Sequence, residues 1–217
     1  FSYPVRYVVV PEASGDRHRR NDRSLLQPFL SALEELDSAG VLAITTTCGF
    51  IASFQQDLAA AARVPVFTSS LIQLPLVYEM FARGGKIGVI SAEGSALGPQ
   101  YFEAVGAGHV PVVIAGMENR PHFRHGVLDD ELDLDFEGIR DEMTEVARAM
   151  VEANPDLKAF VFECANLAPY SHAVQKATGL PVFDIVTLCN MVYDAVRAES
   201  YPLVDLKWGK AWWRARW

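Results

Sequence analysis

Short apolar, β-branched runs alternate along the chain with longer amphipathic stretches. This alternation is typical of parallel strands that are connected by helical crossovers, so it predicts an α/β fold. Strands are predicted at Val5–Val10, Val41–Thr46, Val64–Phe67, Lys86–Ser91, Val110–Ile114, Lys158–Glu163 and Pro181–Asp184. Helices are predicted at Leu25–Ser38, Ile51–Ala62, Leu71–Arg83, Gly98–Gly106, Phe136–Ala153, Tyr170–Thr178 and Leu188–Glu199.

One unit of this pattern occurs twice, as "TTTCGFIASFQQDLAAAARVPVF" and as "FVFECANLAPYSHAVQKATGLPVF". In both copies a cysteine follows the strand, a helix comes next, and Pro-Val-Phe begins 17 positions after the cysteine. The offset between the copies is 116 residues. The repeat predicts two pseudo-symmetric, Rossmann-like lobes with parallel sheets and an active site in the cleft between them. Residues 1–84 with 189–217 are expected to form lobe one, and 85–188 lobe two.

The repeat also makes a prediction about the start of lobe one. Val5–Val10 corresponds to Val110–Ile114 of lobe two, so the counterpart of Lys86–Ser91 would fall upstream of Phe1. Lobe one is therefore expected to lack its first strand.

Composition narrows the class of protein. Half of the residues are hydrophobic and 21% are charged, which is typical of a folded globular protein. A net charge of -8 argues against nucleic acid, because neutralising phosphates needs a surplus of Lys and Arg. Three widely spaced cysteines without a Cys-x-x-Cys motif indicate neither a disulfide framework nor a zinc site, and favour a cytoplasmic protein with reduced thiols. No apolar run is long enough to span a membrane.

Cys48 and Cys164 are the candidate catalytic residues. Each follows a strand of a predicted parallel sheet, and such sheets bind ligands outside the carboxyl ends of their strands. The helix that begins after each cysteine is expected to stabilise a thiolate and lower the thiol pKa. Two such thiols across one cleft suit proton transfer at an α-carbon, with one acting as base and the other as acid. The alternative is that each is only a small buried hydrophobe, which is our interpretation of Cys189.

The segments "TTTCGFIASFQQDLA", "VPVFTSSLIQLP", "GKIGVIS" and "FECANLAPYSHAVQKATGLPVFDIVTL" resemble the aspartate/glutamate/hydantoin racemase superfamily of cofactor-independent, two-cysteine racemases. The resemblance implies two lobes with the site between them, and Cys48 and Cys164 as the acid/base pair. It also implies that neither pyridoxal phosphate nor a metal is needed. Thr47, Gly49 and Asn166 match positions that hold the substrate in that family.

The chain departs from the family pattern after each cysteine. Ala165 stands where relatives often carry a threonine, and Gly49-Phe50 stands where many have Asn-Thr. Phe50 and Ala165 therefore indicate a bulkier or less polar substrate than aspartate or glutamate. Glu163, directly before Cys164, would raise the pKa of that thiol. Three serines at predicted strand ends are candidates either for helix capping or for substrate binding: Ser69, Ser70 and Ser91.

These observations predict a racemase or epimerase that inverts the α-carbon of a small amino acid or related carboxylate. Three alternatives remain: a single-cysteine isomerase or decarboxylase of a small dicarboxylate, a non-catalytic small-molecule binding protein, and a redox thiol pair. All four tryptophans lie in the C-terminal segment "KWGKAWWRARW", which is expected to dock on the protein itself or on a second subunit of a homo-oligomer.

Overall fold

The computed structural model describes residues 1–129, 131 and 133–198. The strands in the described residues are β1 Ile44–Thr45, β2 Val66–Phe67, β3 Lys86–Ser91, β4 Val112–Gly116, β5 Leu157–Phe162 and β6 Val182–Phe183. The α-helices are α1 Gly15–Arg19, α2 Leu26–Ser38, α3 Gln55–Ala61, α4 Leu74–Met80, α5 Pro99–Ala104, α6 Pro121–Phe123, α7 Phe136–Ala153, α8 Ser171–Thr178 and α9 Ile185–Val196. Further helical turns are of the 3-10 type at Arg23–Leu25, Gly49–Phe54, Ser70–Gln73, Gly94–Ala96 and Ala165–Tyr170, and of the π type at Arg124–Leu128.

The strands form two parallel sheets, one for each lobe. β1 pairs with β2 in lobe one, and lobe two has the strand order β4-β3-β5-β6. Ile44 lies opposite Val66 in the first sheet, and Phe160 lies opposite Val182 in the second. In each lobe, one pair of neighbouring strands, β1–β2 or β5–β6, is connected by a cysteine, a 3-10 turn and an α-helix. This arrangement confirms the predicted α/β fold with two related lobes.

The sheet of lobe two has an apolar core on each face. On one face, Phe160 and Phe162 of β5 pack with residues of α7 such as Met143 and Ala147. On the other face, Val89 and Val161 pack with Phe50, Leu71 and Tyr101, which come from both lobes. A separate cluster that includes Leu25, Leu33, Ile51 and Phe54 lies within lobe one. Because the turn after Cys48 packs on the second sheet, the two lobes share a core at the base of the site.

The predicted strand at Val5–Val10 is wrong. No strand forms there, and the side chains of Tyr7 and Val9 are mostly exposed. A cavity of about 950 Å³ lies between this segment and the chain around β1, so its backbone has no neighbouring strand among the described residues. A β-branched run can form a ladder only when such a neighbour supplies hydrogen-bond partners.

Other boundaries move by a few residues. β4 begins at Val112 and ends at Gly116, two residues later than predicted at each end. α9 begins at Ile185 because Asp184 and Thr187 form a capping box, in which the Asp184 side chain accepts from the Thr187 N–H at 2.8 Å. α9 ends at Val196, three residues before the predicted end at Glu199, and the tryptophan-rich segment lies outside the described residues.

The described part of the chain contains neither a membrane-spanning helix nor a cluster of metal-binding side chains. No described helix is both long and apolar enough to cross a membrane. No group of three or more His, Cys, Asp or Glu side chains among the described residues is placed to hold a metal ion.

Candidate active site

The repeat places the two candidate cysteines at equivalent positions. Cys48 follows β1 and immediately precedes the 3-10 turn Gly49–Phe54, and Cys164 follows β5 and precedes the turn Ala165–Tyr170. Both cysteines are free and partly buried. Gly49, the residue after Cys48, packs directly against Glu163, the residue before Cys164. The structure thus brings the two cysteine motifs next to each other.

Glu163 lies between the two cysteine motifs. Its side chain is only 2% exposed, and its Oε2 accepts a hydrogen bond from the Ser91 hydroxyl at 2.9 Å. Oε1 has no hydrogen-bond partner among the described residues. A Cβ on Gly49 would overlap both the main-chain oxygen and Oε1 of Glu163 and lie 2.7 Å from its carboxyl carbon. Glycine after Cys48 therefore lets the first turn pack directly on the carboxylate that precedes Cys164.

Burial dominates the electrostatics of this carboxylate. Desolvation raises the pKa of Glu163 to about 7, although the hydrogen bond from Ser91 opposes the rise. No Lys or Arg side chain in the described part of the chain forms an ion pair with Glu163. A buried carboxylate without a cation is costly, and groups of this kind are concentrated at functional sites.

The expectation that helix starts lower the thiol pKa values is wrong for the protein without substrate. Burial, and then the charge of Glu163, raise the pKa of Cys48 to about 12. The same two causes, in the same order, raise the pKa of Cys164 well above its ordinary value. N–H groups at the start of each turn oppose the rise, from Phe50 and Ile51 at Cys48 and from Asn166 at Cys164. The sequence did predict the direction of the Glu163 effect.

The three candidate serines have different surroundings. The Ser69 hydroxyl accepts from the Leu71 N–H at 3.2 Å and caps the turn Ser70–Gln73. The Ser70 hydroxyl donates to the main-chain oxygen of Phe162, so it connects the two lobes. Ser91 holds Glu163, as described above. All three side chains are buried, and their observed contacts are within the protein.

The remaining predicted site residues flank the cysteines. Thr47 and Asn166 are exposed beside Cys48 and Cys164, and Ala165 is partly buried. Phe50 is 3% exposed and packs edge-on against Tyr101, with ring centroids 5.2 Å apart. Its side chain therefore belongs to the shared core. Substrate contacts at these four positions stay predictions.

Two residues near Cys48 had no signal in the sequence. The charge of Arg19 lowers the pKa of Cys48, and its guanidinium pairs with Glu93 at 2.8 Å. Tyr101 donates to the main-chain oxygen of His18 at 3.2 Å, and charges on Cys48 and Glu163 contribute to the rise of its own pKa, after burial. Both residues come from helices that are distant in sequence, so only the fold shows that they approach the site.

The cavity beside β1 extends to the cysteine motifs. Its lining includes Thr47 and Cys48 from lobe one and Ala165 from lobe two. Most of the remaining lining is apolar, with contributions from residues 1–10, α2 and α9. A small molecule in this space could therefore reach the turn that carries each cysteine.

Comparison with known proteins identifies the family. The model of the Asp/Glu/hydantoin racemase family matches residues 6–189, which include both cysteine motifs. The chain belongs to this family. Members of the family adopt the same fold: an aspartate racemase from Picrophilus torridus matches with a TM-score of 0.57 at 13% identity, covering 83% of this chain and 73% of the racemase.

More similar sequences carry a different name. Dimethylsulfoniopropionate lyase 7 from Emiliania huxleyi is 34% identical over 88% of this chain and 58% of its own length. A dimethylsulfoniopropionate lyase from Durusdinium sp. clade D is 32% identical over 98% of this chain and 72% of its own length. The chain thus spans little more than half the length of the first of these relatives. Racemases and lyases both occur among proteins similar to this chain.

Proposed function

We propose that this chain cleaves dimethylsulfoniopropionate, or a small carboxylate with a similar cationic leaving group, by removing the α-proton with a cysteine thiolate. The observation that carries the proposal is the pair formed by Cys48 and Cys164 at equivalent strand ends. The lyase names of relatives at 34% and 32% identity favour elimination over the inversion that the sequence pattern first indicated.

The two reactions share their first step. Dimethylsulfoniopropionate is a propionate whose β-carbon carries a dimethylsulfonium group. A thiolate takes the proton from the α-carbon. The electrons of that C–H bond form the double bond to the β-carbon as the β-carbon–sulfur bond breaks, and the electrons of the broken bond leave with neutral dimethyl sulfide. The organic product is acrylate, and the proton remains on the cysteine until it returns to solvent.

The charges around the thiols support a cationic substrate group. The buried Oε1 of Glu163 has no hydrogen-bond partner in the described part of the chain, and Arg19 is already paired with Glu93. A sulfonium near Glu163 would be attracted, whereas the second carboxylate of aspartate or glutamate would be repelled. A bound cation would also favour the thiolates and so offset the rise in pKa that Glu163 causes at Cys48.

The two thiols are assigned different roles in this proposal. Cys48 is the base, because two N–H groups and the charge of Arg19 favour its thiolate. Cys164 stays protonated, since only the N–H of Asn166 favours its thiolate and a charge on Cys48 opposes it. A neutral thiol can donate a hydrogen bond to the negative charge that develops at the α-carbon and its carboxylate.

Racemisation remains the second candidate because of the same symmetric pair. When the substrate lacks a leaving group at the β-carbon, the carbanion must recover a proton, and the Cys164 thiol could supply it from the other lobe. The product would then be the opposite enantiomer of an amino acid. This reaction needs both thiols, as does the elimination proposed here.

The test is to incubate the purified chain with dimethylsulfoniopropionate and to measure dimethyl sulfide in the headspace and acrylate in solution. Cys48→Ser and Cys164→Ser are each expected to slow product formation by at least about 100-fold, the usual contribution of a positioned acid or base. Thr144→Ala is the control, because Thr144 lies on α7, its hydroxyl donates to the main-chain oxygen of Asp141, and it does not line the cavity, so the rate should be unchanged.

A parallel experiment in D₂O separates the candidates. Both enantiomers of aspartate and glutamate are followed by NMR for loss of the α-proton signal. Dimethyl sulfide and acrylate without α-exchange of the amino acids would support the lyase. Exchange with inversion, and no cleavage of the sulfonium compound, would replace it with the racemase.

A further inference from the structure

Glu163 adjoins both cysteine motifs, one through the chain and one through space. It directly precedes Cys164 in sequence, and its carboxylate packs against the backbone of Gly49, the residue after Cys48. One buried carboxylate is therefore next to both turns that carry a thiol. Its charge disfavours the thiolate of Cys48 and that of Cys164.

The internal repeat shows that a carboxylate directly before the cysteine occurs in lobe two and not in lobe one. An offset of 116 residues aligns Glu163 with Thr47, an exposed residue without a charge. The same offset aligns Gly49 with Ala165. The larger residue would not fit at position 49, since its Cβ would overlap the Glu163 carboxylate. The asymmetry thus has two matching parts, a carboxylate before one cysteine and a glycine after the other.

Few described groups around Glu163 offset its charge. Ser91, at the end of β3, donates one hydrogen bond to Oε2, Oε1 receives none from the described residues, and the main-chain N–H of Ala92 favours the charged carboxylate. Arg19 of α1 pairs with Glu93 and with Asp16. On α5 the nearby titratable group is Tyr101, whose hydroxyl donates to the main chain of His18. The charge of Glu163 raises the pKa of three groups, Cys48, Cys164 and Tyr101.

We infer that Glu163 is a positioning residue whose charge adds to burial in disfavouring both thiolates. Neutralising Glu163, by a proton or by a cationic group of the substrate, then raises the thiolate fraction of each cysteine. The consequence for catalysis rests on the proposed function, but the charge coupling itself is a property of the protein alone.

The coupling can be measured without a substrate. Wild type and Glu163→Gln are treated briefly with iodoacetamide between pH 5.5 and 9, and labelling of each cysteine is quantified by peptide mass spectrometry. Because alkylation proceeds through the thiolate, its rate follows the thiolate fraction. At Cys48, the ratio of the variant rate to the wild-type rate should be near one at pH 5.5, where Glu163 is protonated in the wild type. It should rise through pH 7 to at least about tenfold, the change that corresponds to one pKa unit.

Three controls isolate the charge. Cys189 is an internal reference, because the charged neighbour that raises its pKa, after burial, is Asp184 and not Glu163. Glu142→Gln changes another buried glutamate, one that accepts from the N–H groups of His122 and Phe123, and should leave labelling of Cys48 unchanged. Ser91→Ala removes the hydrogen bond that favours the charged carboxylate of Glu163. The pH at which this carboxylate begins to slow the labelling of Cys48 should therefore move upward.

The pH dependence of the ratio between the Glu163→Gln and wild-type labelling rates decides the outcome. A ratio that rises through pH 7 at Cys48 and Cys164, but not at Cys189, supports the inference. A ratio that is constant with pH would mean that the substitution only loosens the site, and a ratio below one would mean that Glu163 promotes ionisation; either result overturns it. If the ratio rises but dimethylsulfoniopropionate is not cleaved, the charge coupling stands and the proposed lyase function fails.

Discussion

The buried carboxylate of Glu163 should destabilise the folded protein above neutral pH. Its pKa is raised from the ordinary value of 4.5 to about 7, and burial is the main cause. The folded protein therefore binds this proton more tightly than the unfolded chain does. The stability associated with the protonated form is present below about pH 4.5 and is lost as the pH rises to about 7. Glutamine has nearly the same shape and does not titrate, so Glu163→Gln should escape this loss.

The size of the effect follows from the pKa. One pKa unit corresponds to about 1.4 kcal/mol, so a rise from 4.5 to about 7 corresponds to about 3 kcal/mol. Solvent screening removes little of this, because the side chain is 2% exposed. Relative to wild type, Glu163→Gln should gain on the order of 3 kcal/mol in the free energy of unfolding between pH 4.5 and pH 8.

Urea unfolding at several pH values measures this difference directly. The quantity of interest is how the difference in the free energy of unfolding between wild type and Glu163→Gln changes with pH. A difference that does not change with pH reports only the hydrogen bonds of the amide. Glu142→Gln provides the contrast: its carboxylate accepts two main-chain N–H bonds, at 2.8 and 2.9 Å, so its substitution should destabilise the protein at pH 8. The reasoning is refuted if the gap between Glu163→Gln and wild type stays constant, or if the variant becomes relatively weaker, as the pH rises.

Two further substitutions test the packing of the site. Gly49→Ala should destabilise the protein by about 1–3 kcal/mol in thermal unfolding, because its Cβ meets the fixed main-chain oxygen of Glu163. The control is Gly108→Ala, since its Cβ would lie 3.3 Å from a flexible Glu103 side chain. Asp184→Ala should cost about 1–2 kcal/mol by urea titration, since it removes the cap of α9 and the bond from Ser171 at 2.5 Å. The prediction for Gly49→Ala would be contradicted by an unfolding midpoint equal to that of Gly108→Ala. The prediction for Asp184→Ala would be contradicted by a midpoint equal to that of wild type.

Much of the fold could be predicted because many of its elements have clear local sequence patterns. β3 and α7 were predicted at their observed bounds, since each is a continuous run of one pattern with well-marked ends. Val5–Val10 has the same β-branched composition but forms no strand, because a ladder depends on a neighbour that local pattern cannot reveal. Composition reports what a segment could form, and the rest of the chain decides whether it does.

The candidate site shows the same division between local and distant information. Cys48 and Cys164 could be found because spacing and element order repeat around them. The electrostatics could not, since the predicted helix-start effect competes with burial, and burial is larger at both thiols. Glu163 combines the two cases: its place before Cys164 is visible in the sequence, whereas its contact with Gly49 crosses between the lobes.

That contact suggests how a pseudo-symmetric pair of thiols could serve an asymmetric reaction. Inversion treats the two faces of a substrate alike, so it gains nothing from a charge on one side. Elimination of a cationic group has a direction, and a single buried carboxylate supplies one. On this argument the departure of Gly49 and Glu163 from the internal repeat, rather than the two cysteines that the repeat preserves, would favour the proposed elimination over inversion.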